Sequence, residues 1–224
     1  MLLQGAAGAS TRRYVAGQLA AFMVLVAAVA LVVWDGSRNP SRSHEQPSAD
    51  LIAREAAVTE RKRAVQIAQN EMAALAYMKF LISAQAQARQ GAWFDADHDG
   101  VGEYAGVFDD GSSVMRRGGY YFKVFLPNAR GAGVSGPAGL VAADPDLSET
   151  TWCCYAWPVK YGTTGRHAFF TNQAGDVVRT DDSAYSGRNA GPPADAAFRE
   201  AGSITGDVAI AVPAVDGNTW KTIG

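Results

Sequence analysis

An uncharged run from Tyr14 to Trp34 constrains this chain more than anything else in it: twenty-one residues without Asp, Glu, Lys or Arg. As a helix rising 1.5 Å per residue it would reach about 30 Å, the thickness of a bilayer's hydrocarbon core. Arg12 and Arg13 precede it, Asp35 follows it, and Tyr14 and Trp34 stand at its ends, where interfacial aromatics sit. The run is expected to be a transmembrane anchor over 14–34, with the lipid bilayer as its partner. The positive-inside rule then puts residues 1–13 in the cytoplasm and the rest outside. The chain reads as a single-pass protein of the inner (cytoplasmic) membrane with its C-terminal domain in the periplasm. Two other readings stay open. A cleaved signal peptide has an apolar core of about 7–15 residues and a small-x-small site. Ala28-Val29-Ala30 has that form, although Leu31 to Trp34 continue the apolar run beyond it. A buried core helix is the third reading, and few soluble helices are apolar all round.

The remainder, about 190 residues, suits one domain plus a stalk. A net charge of −2 gives no reason to expect a nucleic acid partner or a polybasic membrane patch. The only cysteines are the adjacent Cys153 and Cys154. They have no zinc-ligand spacing and cannot staple distant segments, so they are free thiols or a strained bond between neighbours.

Residues 35–50 read as a polar linker, interrupted by Pro40 and Pro47. Asp50 is a candidate N-cap for a stalk and spine helix over 51–90, stopped at Gly91. Leu51, Val58, Val65 and Met72 recur every seven residues, with Ala68, Leu75 and Ile82 offset by three. Arg54, Arg61 and Lys79 also fall on that seam, which argues against a sustained coiled coil. Over 91–224, the head, the period changes to two. Strands are expected at Tyr120–Leu126, Trp152–Val159, His167–Thr171 and Val177–Thr180, with a last one at Asp207–Val212. Residues 172–176 form a hairpin loop, and 127–150 a long Gly- and Pro-rich one. A long helix followed by a run of strands predicts an α+β fold with an antiparallel sheet.

The stretch Asn70 to Leu75 through Ser83 to Gln87 resembles the latter half of the spine helix in bacterial type IV pilin-like and pseudopilin-like proteins. Residues 95–104, Gly119 to Val124, Ala156-Trp157-Pro158, Tyr161-Gly162 and Phe169 to Val177 follow in order. That order also resembles an uncharacterised group of bacterial envelope proteins with a GYYF…YP…YG…F…NQDG signature. The resemblance covers roughly 65–200 and implies a pilin-like head. Its implied function is structural or interactive, as an accessory of a secretion or pilus-like system with envelope protein partners. A prepilin opens with a Gly-Phe-Thr-Leu-Ile-Glu type start. Here Gly17-Gln18-Leu19-Ala20-Ala21-Phe22 has neither that context nor the Glu, and Pro40 and Pro47 break the helix. A fixed tether is therefore expected in place of a polymerising helix.

Chemistry concentrates at Asp95-x-Asp97-x-Asp99-Gly100. Carboxylates at positions 1, 3 and 5 with Gly at 6 match the opening of an EF-hand calcium loop. Val101 would offer its carbonyl at position 7 and Glu103 falls at position 9, so Asp95, Asp97, Asp99, Val101 and Glu103 are the candidate Ca2+ ligands. Position 12 is Gly106, where the loop's bidentate Glu is missing, and Asp109 or Asp110 is the candidate substitute. The opposing reading is a solvated acidic turn. Gly131-x-Gly133-x-x-Gly136 fits a dinucleotide fingerprint literally, but Pro137 denies it the following helix. His167 with Asp181 or Asp182, and Cys153 with His167, are weak candidates for nucleophilic chemistry, and no G-x-S-x-G elbow exists. The chain is therefore expected to be no enzyme, with a calcium-dependent binding module and an anchored hydrolase as the rival readings.

Overall fold

The computed structural model describes residues 48–90, 95–106, 108 and 111–223. The chain divides into two compact units, 1–55 and 56–224. The long helix expected from the sequence is α1, Ala49–Arg89. Its cap is Ser48, not Asp50: the Leu51 amide donates to Ser48 Oγ at 3.4 Å and to its carbonyl at 2.9 Å, leaving Asp50 in the first turn, where its charge suits the helix dipole.

The expected N-terminal transmembrane helix, and with it the single-pass membrane and inner-membrane assignments, is corrected here. Among the described residues no helix is long and apolar enough to cross a membrane. The physical reason lies in α1, the one long helix described, which carries Arg54, Glu55, Glu60, Arg61, Lys62, Arg63, Glu71 and Lys79 along its length. The run 14–34, on which the expectation rested, lies outside the described residues.

The strands are β1 Val114–Arg117, β2 Tyr120–Pro127, β3 Gly133–Val134, β4 Cys153–Pro158, β5 Ala168–Asn172, β6 Val177–Thr180 and β7 Lys221–Thr222. They form an antiparallel sheet in the order β1-β2-β4-β5-β6-β7, and β3 pairs with the end of β2. Gly118 and Gly119, with φ of 54° and 82°, close the two-residue turn between β1 and β2. Two successive left-handed residues suit a primed hairpin turn, whose twist matches the strands. Between β2 and β4 the expected loop contains β3 and two single-turn helices, α2 Pro137–Leu140 and α3 Pro145–Ser148. Pro137 stands in the first turn of α2, where its missing N–H costs nothing; the Gly131–Gly136 stretch thus leads into one turn of helix. The last expected strand is reduced to isolated bridges, Phe198 with Val208 and Ile210 with Trp220.

Side-chain alternation sends Tyr120, Phe122, Val124, Leu126, Cys154, Ala156 and Phe169 to one face. There they pack with Ala74, Met78 and Leu81 of α1. The other face presents Phe125, Cys153, Tyr155, Trp157, Ala168 and Phe170 to Tyr185, Phe198, Ile204 and Trp220 from the irregular stretch after β6. Both faces are covered, which is why β4 and β5 are buried at every position. Each large apolar side chain so buried contributes about 1.5–3 kcal/mol. On α1 the buried stripe is Ile67, Ala74, Met78, Leu81 and Gln85. The heptad residues Leu51, Val58, Val65 and Met72 are exposed instead, Met72 to 70%.

Candidate metal centre

Four contacts fix the acidic segment after α1. Gln85, buried on α1, donates to the carbonyl of Ala105 and accepts its amide, both at 2.8 Å. Gly102 passes so close to the last turn of α1 that a Cβ there would run into the carbonyl oxygen of Arg89. The Tyr104 amide donates to the Ser148 carbonyl of α3 at 3.0 Å. Arg89 stacks its guanidinium over the Tyr104 ring, which in turn packs on Trp152. The segment is thus held between the end of α1 and α3.

Within it the carboxylates organise the backbone. Asp95 accepts the amides of Asp99 and Gly100, both at 3.1 Å. Asp97 accepts the Asp99 amide at 3.3 Å, and Asp99 accepts that of Val101 at 2.7 Å. His98 and Gly100 take left-handed φ values of 64° and 92°, which gives the sharp turn its shape. Glu103 is buried, and both of its oxygens accept the Ala96 amide at 3.1 Å. Val101 is exposed.

One carboxylate oxygen from each of Asp95, Asp97 and Asp99 lies within 4.8 Å of the other two. A second triad shares Asp99: oxygens of Asp99, Asp146 and Glu149 also lie within 4.8 Å of one another. Ligands on opposite sides of a calcium ion, at 2.3–2.6 Å each, are about 5 Å apart, so the spacing of either triad allows one ion. The donors are all hard carboxylate oxygens, suited to calcium or magnesium and not to soft metals. These acidic clusters can hold a metal ion. Asp146 and Glu149 reach the site because Asp144 caps α3, accepting the Leu147 amide at 3.0 Å. Partial desolvation, then repulsion from Asp99, Asp146, Asp97 and Glu103, pushes the Glu149 carboxyl above its usual range. The sequence had not placed Asp146 or Glu149 at this site. Their only local signal is an acidic one-turn helix, Asp144 to Glu149, and nothing in the chain order says where it lands. Asp109 and Asp110 lie outside the described residues.

The nucleophile candidates are not brought together. His167 Nδ1 stands 3.1 Å from Glu71 on α1. Asp181 accepts the Tyr161 hydroxyl at 2.6 Å, and Asp182 binds the Ala184 amide and the Asn218 side chain. Cys153 lies in the core behind the sheet while His167 meets the helix side. Both cysteines are free and buried, and burial pushes both thiols far up.

Fold and site together define a helix-on-antiparallel-sheet domain with an oxygen-rich acidic centre at one helix end. Comparison with known proteins finds no matching family model, no matching curated protein and no matching solved structure.

Proposed function

We propose that the chain is a non-catalytic binding module whose acidic centre takes calcium. The observation that carries this reading is the meeting of two separate segments, 95–99 and 146–149, on the shared carboxylate of Asp99. Like charges drawn together repel, and a divalent cation between them converts that repulsion into attraction. Calcium would join the loop after α1 to α3 and set the shape of the surface they form. Calcium titration of the metal-free full chain by calorimetry tests this. One saturable site that disappears in Asp99→Asn supports the proposal, while no heat beyond dilution, or heat unchanged in that variant, overturns it.

A second reading, a structural accessory of the pilin-like kind, is favoured by the exposed apolar residues Leu51, Val58, Val65 and Met72 at seven-residue spacing. Such a stripe, interrupted by Arg54 and Arg61, suits a short contact with another helix and not a continuous coiled coil. Sedimentation of the full chain tests it: self-association lost in Val58→Glu/Val65→Glu supports this role, and a monomer at all concentrations counts against assembly with itself.

A further inference from the structure

We propose that this protein carries a second ligand site, remote from the acidic centre, that binds a small phosphate ester. The site is a cleft of about 280 Å³ behind the sheet, lined by Val114, Lys123, Trp157, Arg188, Asn189 and Pro192 among others. Its floor follows from strand register. Lys123 pairs with Val114 on one side and with Tyr155 on the other, so it faces the irregular layer and not α1. That layer covers Lys123 only in part.

The wall is fixed. The Trp157 indole N–H donates to the Gly187 carbonyl at 2.7 Å, and the Gly187 amide donates to the Pro158 carbonyl at 3.1 Å. Gly191 lies flat on the indole, where a Cβ would come 2.5 Å from the ring. Arg188 and Asn189 are therefore carried on a segment pinned at both ends against Trp157.

Charge decides the ligand. Among the described residues, two cations line the cleft and no carboxylate does. The Lys123 ammonium lies 4.7 Å above the Phe125 ring, and its partial desolvation lowers its affinity for the proton. A half-buried cation loses part of its hydration, and an oxyanion supplied by a ligand offsets that cost. Two positive charges and an amide match a phosphate monoester of about −2 at neutral pH. The arginine fork suits phosphate geometry, while the partly exposed Val114 offers apolar surface to the ester's organic part.

The test is calorimetry on the full chain in calcium-free buffer, with phenyl phosphate and inorganic phosphate as probes. Phenyl phosphate is expected to bind saturably and several-fold more tightly than inorganic phosphate. Arg188→Ala, which changes an exposed residue, should weaken it about tenfold, and Lys123→Gln at least as much. No saturable binding of phenyl phosphate, or binding unchanged in Arg188→Ala, overturns the site. Equal affinity for the two probes overturns its assignment to an ester. Because no calcium is present, failure here leaves the acidic centre untouched.

Discussion

Glu71 makes the most informative single substitution, because one carboxylate ties α1 to a loop 95 residues away. Its Oε1 accepts the Arg166 amide at 2.8 Å and the His167 amide at 3.3 Å, and it stands 3.1 Å from His167 Nδ1. The side chain is only 17% exposed. In Glu71→Ala these two amides lose their acceptor. A hydrogen bond to a charged group contributes about 1.5–3 kcal/mol, and the longer of the two contributes least, so the total loss should be about 2–4 kcal/mol. For a chain of this size that corresponds to a fall in Tm of roughly 5–15 °C. Glu71→Gln keeps an acceptor oxygen and loses only the charge, so it should cost about 1 kcal/mol. Circular dichroism melts measure both, and hydrogen exchange should show faster loss of the Arg166 and His167 amide protons in the alanine variant. An alanine variant that melts within 1 °C of the parent, with unchanged exchange at those amides, would refute the tether.

Other consequences follow from the packing. Gly165→Ala drives a methyl onto the buried Tyr120 hydroxyl and should destabilise by about 1–3 kcal/mol, read as a lower urea midpoint. Trp220→Ala empties a fully buried site beside Tyr155 and Phe170 and should cost about 3–5 kcal/mol by the same measurement. The cysteines should resist a thiol reagent in the native state and react only as fast as the protein unfolds, which a stopped assay in graded urea checks. Burial raises the acid ionisations of Cys153, Cys154, Tyr120, Tyr155 and Tyr185. Above the ordinary thiol value of 9.0 and phenol value of 10.0 the unfolded chain therefore releases protons that the folded chain keeps. Their contribution to stability should be full below pH 9 and be lost steadily above it, seen as a declining urea midpoint.

The sheet and spine were readable in the sequence because their patterns are local. Tyr120 to Leu126 alternates into two cores, and Asn172 to Asp176 carries its own turn chemistry: the Asn172 side chain accepts the Ala174 amide and Gly175 takes a φ of 85°. The adjacent cysteines had to face opposite sides by strand geometry alone. What lay hidden depends on contacts between distant segments. Leu51, Val58, Val65 and Met72 keep a helical period yet stay exposed, because the core that meets α1 selects Ile67, Ala74, Met78 and Leu81 instead. Tyr185, Phe198, Ile204 and Trp220 build a whole layer without any period to announce it. Half of the acidic centre was legible as the Asp95, Asp97 and Asp99 spacing. The other half, Asp146 and Glu149, reaches it only through the bond from Tyr104 to Ser148 that draws α3 alongside.

In the proposed site one calcium ion is held jointly by the two acidic segments. Amide chemical shifts followed during calcium titration of the isotope-labelled full chain test it most directly. The amides of Asp99 and Gly100 and those of Asp146 to Glu149 should move together along one binding curve, and both sets should fall still in Asp99→Asn. Movement confined to residues 95–101, or no movement in either segment at millimolar calcium, would contradict it.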